Sequence, residues 1–259
     1  LVGIPRDEFP IFDSLAYGVV RGINPMLTPE ERKDAIKGVP EGLNLLNELI
    51  DERRKNPGDD FLSTLILAED QGSKLSNMEM CALVGAVLGA GSDTAVDLHS
   101  YLIKTLLQHP DQLQALKDDE SLVQGAISET LRYESSGKTG LARYASEDIT
   151  INGFDVKQGQ MVQLITSTAG MDPKMYKKPE EFDIKRDHDK SISFGQGPHY
   201  CIGVTLVRSQ TEVMLRELFK RFPNISLGNE IVYDYNHHNA RRMDVMLSLI
   251  HISEPTRLL

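Results

Sequence analysis

The chain has 259 residues, 40% of them apolar and 25% charged, with a formal net charge of -10. That length holds one large domain or two ordinary ones, and that composition is the one of a soluble globular protein. The acidic balance argues against wholesale nucleic-acid binding, and no uninterrupted apolar run reaches the roughly 20 residues of a membrane span.

Leu1 to Pro5 carries neither an initiator Met nor the basic-then-apolar order of a signal peptide, so a cut N-terminus is expected. Two cysteines, Cys81 and Cys201, lie far apart, which predicts free thiols in a reducing cytoplasm. Asp7 to Val20 is a short amphipathic stretch. Thr28-Pro29-Glu30-Glu31 reads as a helix start, with a cap residue, Pro at the first position and acids in the first turn. The spacing of Leu43, Leu46, Leu49 and Ile50 predicts that this helix runs to about Lys55. Asn56 to Asp60 breaks it, and Asp60 to Ala68 predicts another short helix.

Ser76-Asn77-Met78-Glu79 is a capping box. It opens a predicted helix to about Gln108, about 45 Å long, apolar on most sides at its start and so read as a buried central helix. Asp111 to Lys117 and Ser121 to Tyr133 follow as helices. Leu141 to Ile151 and Phe154 to Ile165 read as two strands around an Asn152-Gly153 turn. Asp172-Pro173 starts a helical turn. Met175 to Ser193 is a long irregular stretch, the kind that usually has a job. Ile202 to Phe222 is a last helix, stopped by Pro223. From Leu247 to Leu259 the chain looks like a translated sequencing adaptor, so residues 1–246 are taken as the domain and 247–259 as a non-native tail. The sum is mainly α with a minor β component.

The stretch Phe194-Gly195-Gln196-Gly197-Pro198-His199-Tyr200-Cys201-Ile202-Gly203 is the most informative. Its glycines allow a tight, bulged hairpin that brings backbone close to a flat ligand. The cysteine comes at a helix start, where the dipole and free N–H groups favour thiolate. Gly203 leaves room for a large planar group. A lone cysteine also reads as a small core residue, or as a nucleophile with His199 as its base. Upstream, Gly85, Gly89 and Gly91 each weaken one helix by roughly 1 kcal/mol, and close approach of a ligand would compensate. There Ala90-Gly91-Ser92-Asp93-Thr94 sets an acid beside an alcohol, a pair suited to proton delivery or, equally, a solvated Asp and an interior Thr. Glu129 and Arg132 stand at i, i+3, as on any surface helix, and an Arg on a strand, such as Arg143, most often faces solvent.

The cysteine stretch resembles the haem-binding signature of the cytochrome P-450 family, Phe-Gly-x-Gly-x-His-x-Cys-x-Gly, at every fixed position. The resemblance implies a cytochrome P-450 fold truncated at its N-terminus, because family members are longer. It implies haem b (iron protoporphyrin IX) with Cys201 as the metal ligand. Phe194, Gly195, Gly197, His199 and Gly203 surround the haem, with Phe194 near the sulfur and His199 and Arg143 on the propionates. Ala90 and Gly91 then face the haem, and Asp93-Thr94 is similar to the oxygen-activating acid–alcohol pair, with Ala95 where many members have a second Thr. Glu129 and Arg132 resemble the family's buried Glu-x-x-Arg ion pair. Its usual third member, an Arg before the Phe of the irregular stretch, is Glu181 here, and Arg186 is the candidate substitute.

The implied function is a cytoplasmic haem-thiolate monooxygenase. It inserts one atom of O2 into a small apolar substrate, with electrons from a ferredoxin-type or flavodoxin-type donor and with no nucleic acid and no membrane involved. The alternatives are a peroxide-driven peroxygenase on the same fold and a non-catalytic haem-binding protein. The chain as it stands is expected to be inactive and to hold haem weakly.

Overall fold

A computed structural model describes residues 2–22, 27–69, 75–135, 137, 140–188, 191–234 and 242–249. The chain forms two compact units, Leu1–Thr94 and Ala95–Leu259, with the boundary inside one long helix.

In the first unit a single 3-10 turn leads into α1 (Phe9–Gly22), followed by α2 (Pro29–Ala35), α3 (Val39–Lys55), α4 (Phe61–Glu69) and the start of α5 (Asn77–Gln108). Thr28 caps α2 as the sequence predicts: its hydroxyl accepts from Glu31 N, and Glu31 Oε2 accepts from Thr28 N at 2.8 Å. Ser76 and Glu79 make the same reciprocal cap on α5. The single helix expected up to Lys55 is two. Pro40 has no N–H, and its ring excludes the carbonyl four residues back, so the helix ends near Ile36 and restarts at Val39. Gly38 at the break also packs on α1, since a Cβ there would stand 2.7 Å from Ser14 Cβ. The core of this unit is Phe12 and Leu15 of α1, Leu46 and Ile50 of α3, Leu62 and Ile66 of α4, and Met80 and Val84 of α5.

The second unit holds the rest of α5, then α6 (Pro110–Asp118), a 3-10 turn and α7 (Val123–Tyr133). Four short strands follow: β1 (Leu141–Tyr144), β2 (Ile149–Ile151), β3 (Phe154–Val156) and β4 (Met161–Leu164). Each of the two predicted strands is thus interrupted, and the halves pair in a nested way, β2 with β3 and β1 with β4. Asn152 and Gly153 both take positive φ, 47° and 85°, at the tip, as a two-residue hairpin turn demands. A one-turn helix α8 (Thr166–Ala169), the irregular stretch and α9 (Val204–Arg221) come next. The unit's core joins Leu102 and Leu106 of α5, Ala126 and Ile127 of α7, Phe182 and Ile184 of the irregular stretch, and Leu215 of α9.

The chain closes with β5 (Ser226–Asp234) paired antiparallel to β6 (Arg242–Leu249), a hairpin that the sequence reading passes over. Ser226 pairs with Leu249 and Leu227 with Ser248, so the ladder runs three residues past Met246, where the domain was expected to end. Residues 250–259 of the expected tail lie outside the described residues.

Gly125 tests how firmly α7 holds the irregular stretch, because a Cβ there would stand 2.1 Å from Ile184 O. Helix propensity alone says Gly125→Ala gains about 1 kcal/mol. The clash is with backbone, which yields poorly, so a net loss of about 1–3 kcal/mol is expected by thermal or urea denaturation. A stabilised variant would show that Ile184 moves freely.

Candidate active site

The cysteine loop is a turn, not a strand pair. Gly195 and Gly197 take φ of 76° and 67°, the left-handed region where a side chain is strained. Gly195 N donates to Ile192 O, and Cys201 N donates to Phe194 O at 2.9 Å, which closes the loop. A single 3-10 turn, Gly197–His199, sets His199 on the surface. Cys201 is exposed and stands two residues ahead of Gly203, the cap of α9. Tyr200 and Ile202 flank it with 50% and 88% of their surfaces exposed. A Cβ on Gly203 would lie 3.8 Å from Cys201 Sγ, an ordinary contact, so the glycine keeps space beside the sulfur without being forced by a clash.

Beneath the loop lies a buried charge cluster. Glu129 and Arg132 of α7 are 0% and 2% exposed. Arg132 Nε and Nη2 donate to the two oxygens of Glu129, both at 2.7 Å. Its remaining donors go to backbone: Nη1 to Gly170 O and Pro179 O, each at 2.7 Å, and Nη2 to Glu181 O at 3.0 Å. All five N–H groups of the guanidinium are therefore used, which is what makes its burial tolerable. Arg186 is the third member of the cluster. Its Nε donates to Glu129 Oε1 at 3.2 Å, and its other nitrogens donate to Lys177 O, Lys178 O and Glu181 O. Asp183 N also donates to Glu129 Oε1, at 2.9 Å. Sequence reasoning left Arg186 as a candidate and missed the carbonyl acceptors; Gly170 was the available signal, since a Cβ there would stand 2.5 Å from Arg132 O.

His188 completes the cluster, with Nε2 3.5 Å from Glu129 Oε2. Burial pushes its imidazole below the ordinary value, and the Glu129 carboxylate only partly restores it. Arg143 on β1 is exposed, and its Nη1 donates to Ala142 O at 2.9 Å. Arg208 on α9 is half-buried, with its guanidinium 5.6 Å over the Phe194 ring.

The remaining candidates, Ala90, Gly91, Asp93 and Thr94, end the first unit, on α5, while the cysteine loop and the charge cluster belong to the second. α5 is α-helical throughout, and Thr94 Oγ1 donates to Ala90 O at 2.5 Å. The helix glycines divide in role. A Cβ on Gly89 would come within 3.1 Å of Val20 on α1, so packing explains that glycine; a Cβ on Gly91 would meet nothing within 4 Å.

Chemically, the exposed Cys201 thiol could supply one protein ligand to an iron whose other ligands come from a cofactor. Among the described residues no group of three His, Cys, Asp or Glu side chains converges, as a metal held by side chains alone would need.

The Cytochrome P450 family profile matches residues 23–229. The chain is 35% identical over 253 residues to the epothilone C/D epoxidase of Sorangium cellulosum, covering 95% of this chain and 60% of the relative. It is 37% identical over 204 residues to the 6-deoxyerythronolide B hydroxylase of Saccharopolyspora erythraea, covering 78% and 50%. The crystal structure of epothilone D-bound cytochrome P450epoK superposes with a TM-score of 0.90 at 34% identity, over 97% of this chain and 63% of that one. The chain thus spans between half and two thirds of these proteins.

The cluster makes an ordered prediction. Arg132→Lys loses the bidentate contact and leaves carbonyls without donors, for an expected loss of about 3–5 kcal/mol in chemical denaturation. Arg186→Ala, nearer solvent, is expected to cost less, about 1–3 kcal/mol. Equal losses would show that the two guanidiniums act as one unit.

Proposed function

Because this chain belongs to the cytochrome P450 family, we propose that its whole protein is a haem-thiolate monooxygenase that places one oxygen atom on an apolar organic substrate. The observation that carries this reading is the exposed Cys201 thiol on a loop matching every fixed position of the haem signature. Relatives named as an epoxidase and a hydroxylase support it, since both reactions place oxygen on a carbon framework. Haem b, when bound, supplies the redox and oxygen chemistry.

The chain's own residues have four tasks in this reading. Cys201 Sγ, as thiolate, would hold the haem iron and donate charge to it. The Phe194–Cys201 backbone bond and the two left-handed glycines hold the sulfur at the loop's surface. Arg143 and His199, both exposed, offer donors to the propionate carboxylates. Asp93 and Thr94 handle a proton: the Thr94 hydroxyl leaves Ala90 O to pass its proton on, and Asp93 replaces it.

Electrons come from a separate donor of the ferredoxin or flavodoxin type. A cytoplasmic, membrane-free location belongs to the same reading. α5 is long and apolar enough to cross a membrane by length and composition, contrary to what its sequence suggested. Two of its charged residues, Asp97 and Lys104, are nonetheless buried against protein, and Lys104 Nζ lies 2.5 Å from Glu134 Oε1.

Two substitutions in the full-length protein test the reading. Cys201→His is expected to abolish the long-wavelength band of the reduced, carbon-monoxide-bound form, because neutral imidazole donates less charge than thiolate. A retained band means that Cys201 is not the ligand. Thr94→Ala is expected to leave that band intact while a larger share of the supplied electrons ends in hydrogen peroxide rather than product. Unchanged coupling would remove Thr94 from proton delivery.

A further inference from the structure

A cavity of about 590 Å³ lies beneath the cysteine loop, between α7, the end of the irregular stretch and α9. Its lining includes Leu131, His188, Phe194 and Arg208, with Ser128, Ser191 and Ser193. Gly195, Gly197 and Tyr200 of the cysteine loop border it as well, whereas Cys201, His199 and Arg143, the residues assigned to iron and propionates, do not line it.

Two side chains here are incompletely bonded. Both ring nitrogens of His188 and Nε of Arg208 are buried and have no hydrogen-bond partner. Buried donors left unmade cost free energy, and a cavity beside them is where a partner would sit. The volume falls in the range of small-molecule sites, and the mixture of one guanidinium, three serines and apolar walls suits a ligand with one anionic end. The field agrees: Arg132 of α7, Arg186 of the irregular stretch and Arg208 of α9 outnumber Glu129 of α7 and Asp187 beside His188.

We propose that this cavity binds a small organic monocarboxylate, with its oxygens on the Arg208 guanidinium and His188 and its apolar end against Leu131 and Phe194. The Nε edge of a guanidinium offers the two parallel N–H groups that a carboxylate accepts best. His188 gives the site its signature. In this proposal the neutral ring keeps its proton on Nε2, which lies 3.5 Å from Glu129 Oε2, and Nδ1 is the acceptor. A carboxylate needs a donor there, so binding takes up one proton from solution, onto Nδ1. Burial keeps the unliganded imidazole neutral at ordinary pH, so the uptake is expected there and affinity rises as pH falls. Because Arg208 stacks on Phe194, whose carbonyl holds Cys201 N, occupancy is also felt at the thiolate; only this last point rests on the monooxygenase reading.

The test is calorimetry on the full-length, haem-loaded protein with sodium butyrate and sodium benzoate, against sodium chloride at equal ionic strength. Runs in two buffers of different ionisation heat count the protons taken up. Saturable binding with close to one proton per carboxylate is expected. Arg208→Gln should weaken it by roughly tenfold or more, and Arg208→Lys by less. His188→Gln should abolish the proton uptake. Thermal melts and the carbon-monoxide spectrum confirm that each variant is folded. No saturable heat, heat indifferent to Arg208→Gln, or binding without proton uptake would each overturn the proposal. A protein that binds butyrate this way yet shows no thiolate band would keep the site and lose the monooxygenase reading.

Discussion

The second unit is organised around one buried carboxylate. Glu129 has no exposed surface, yet it meets two guanidiniums, a backbone N–H and an imidazole. A carboxylate in such a place is costly unless its charge is matched and its lone pairs are used, and here they are. The arrangement then acts outward. The guanidiniums of Arg132 and Arg186 spend their other N–H groups on carbonyls of a stretch that has no ladder of its own. The carbonyls of Lys177, Lys178, Pro179 and Glu181 are held this way, and the path they fix delivers the chain to Phe194 and the thiol.

This explains how an exposed cysteine can be well placed. The loop itself contributes little: two glycines, one backbone bond from Cys201 to Phe194, and a single 3-10 turn. Its position is borrowed from what lies under it, where α7 and α9 pack through Ile127 and Leu215 and the irregular stretch inserts Phe182 and Ile184 between helices. Phe182 also stacks with Tyr133 and His109, at centroid separations of 5.5 and 5.0 Å, so the end of α7 is fixed on its apolar side as well.

Much of this was readable in the sequence. Caps are local chemistry, and both capping boxes, at Thr28 and Ser76, form as their spacing requires. The Asn152-Gly153 turn was legible for the same reason, because few residues accept its backbone angles. Features that depend on distant partners were less so. The periodicity of Leu43, Leu46, Leu49 and Ile50 lies wholly within α3, after the break at Gly38, and so does not mark where the helix begins. Arg186 follows Glu181 by five positions, and nothing in the local pattern tells which basic residue folds back onto Glu129. The β5–β6 hairpin escaped because its two strands pair across a long gap and with irregular register. Gly89 was read as a ligand's neighbour, while its contact is with α1.

The clamp on the irregular stretch has an evolutionary consequence. Arg132 and Arg186 grip carbonyl oxygens, which every residue possesses, and they ignore the side chains of Lys177, Lys178 and Glu181, whose carbonyls they hold. Substitutions along the stretch therefore leave the grip intact so long as the backbone path is kept. Apart from the buried Phe182 and Ile184 and the clamping Arg186, its side chains can change without loosening the grip, whereas a change at Glu129 or Arg132 breaks it. Two residues on one helix turn thus fix the path of about twenty others while asking little of their exposed side chains.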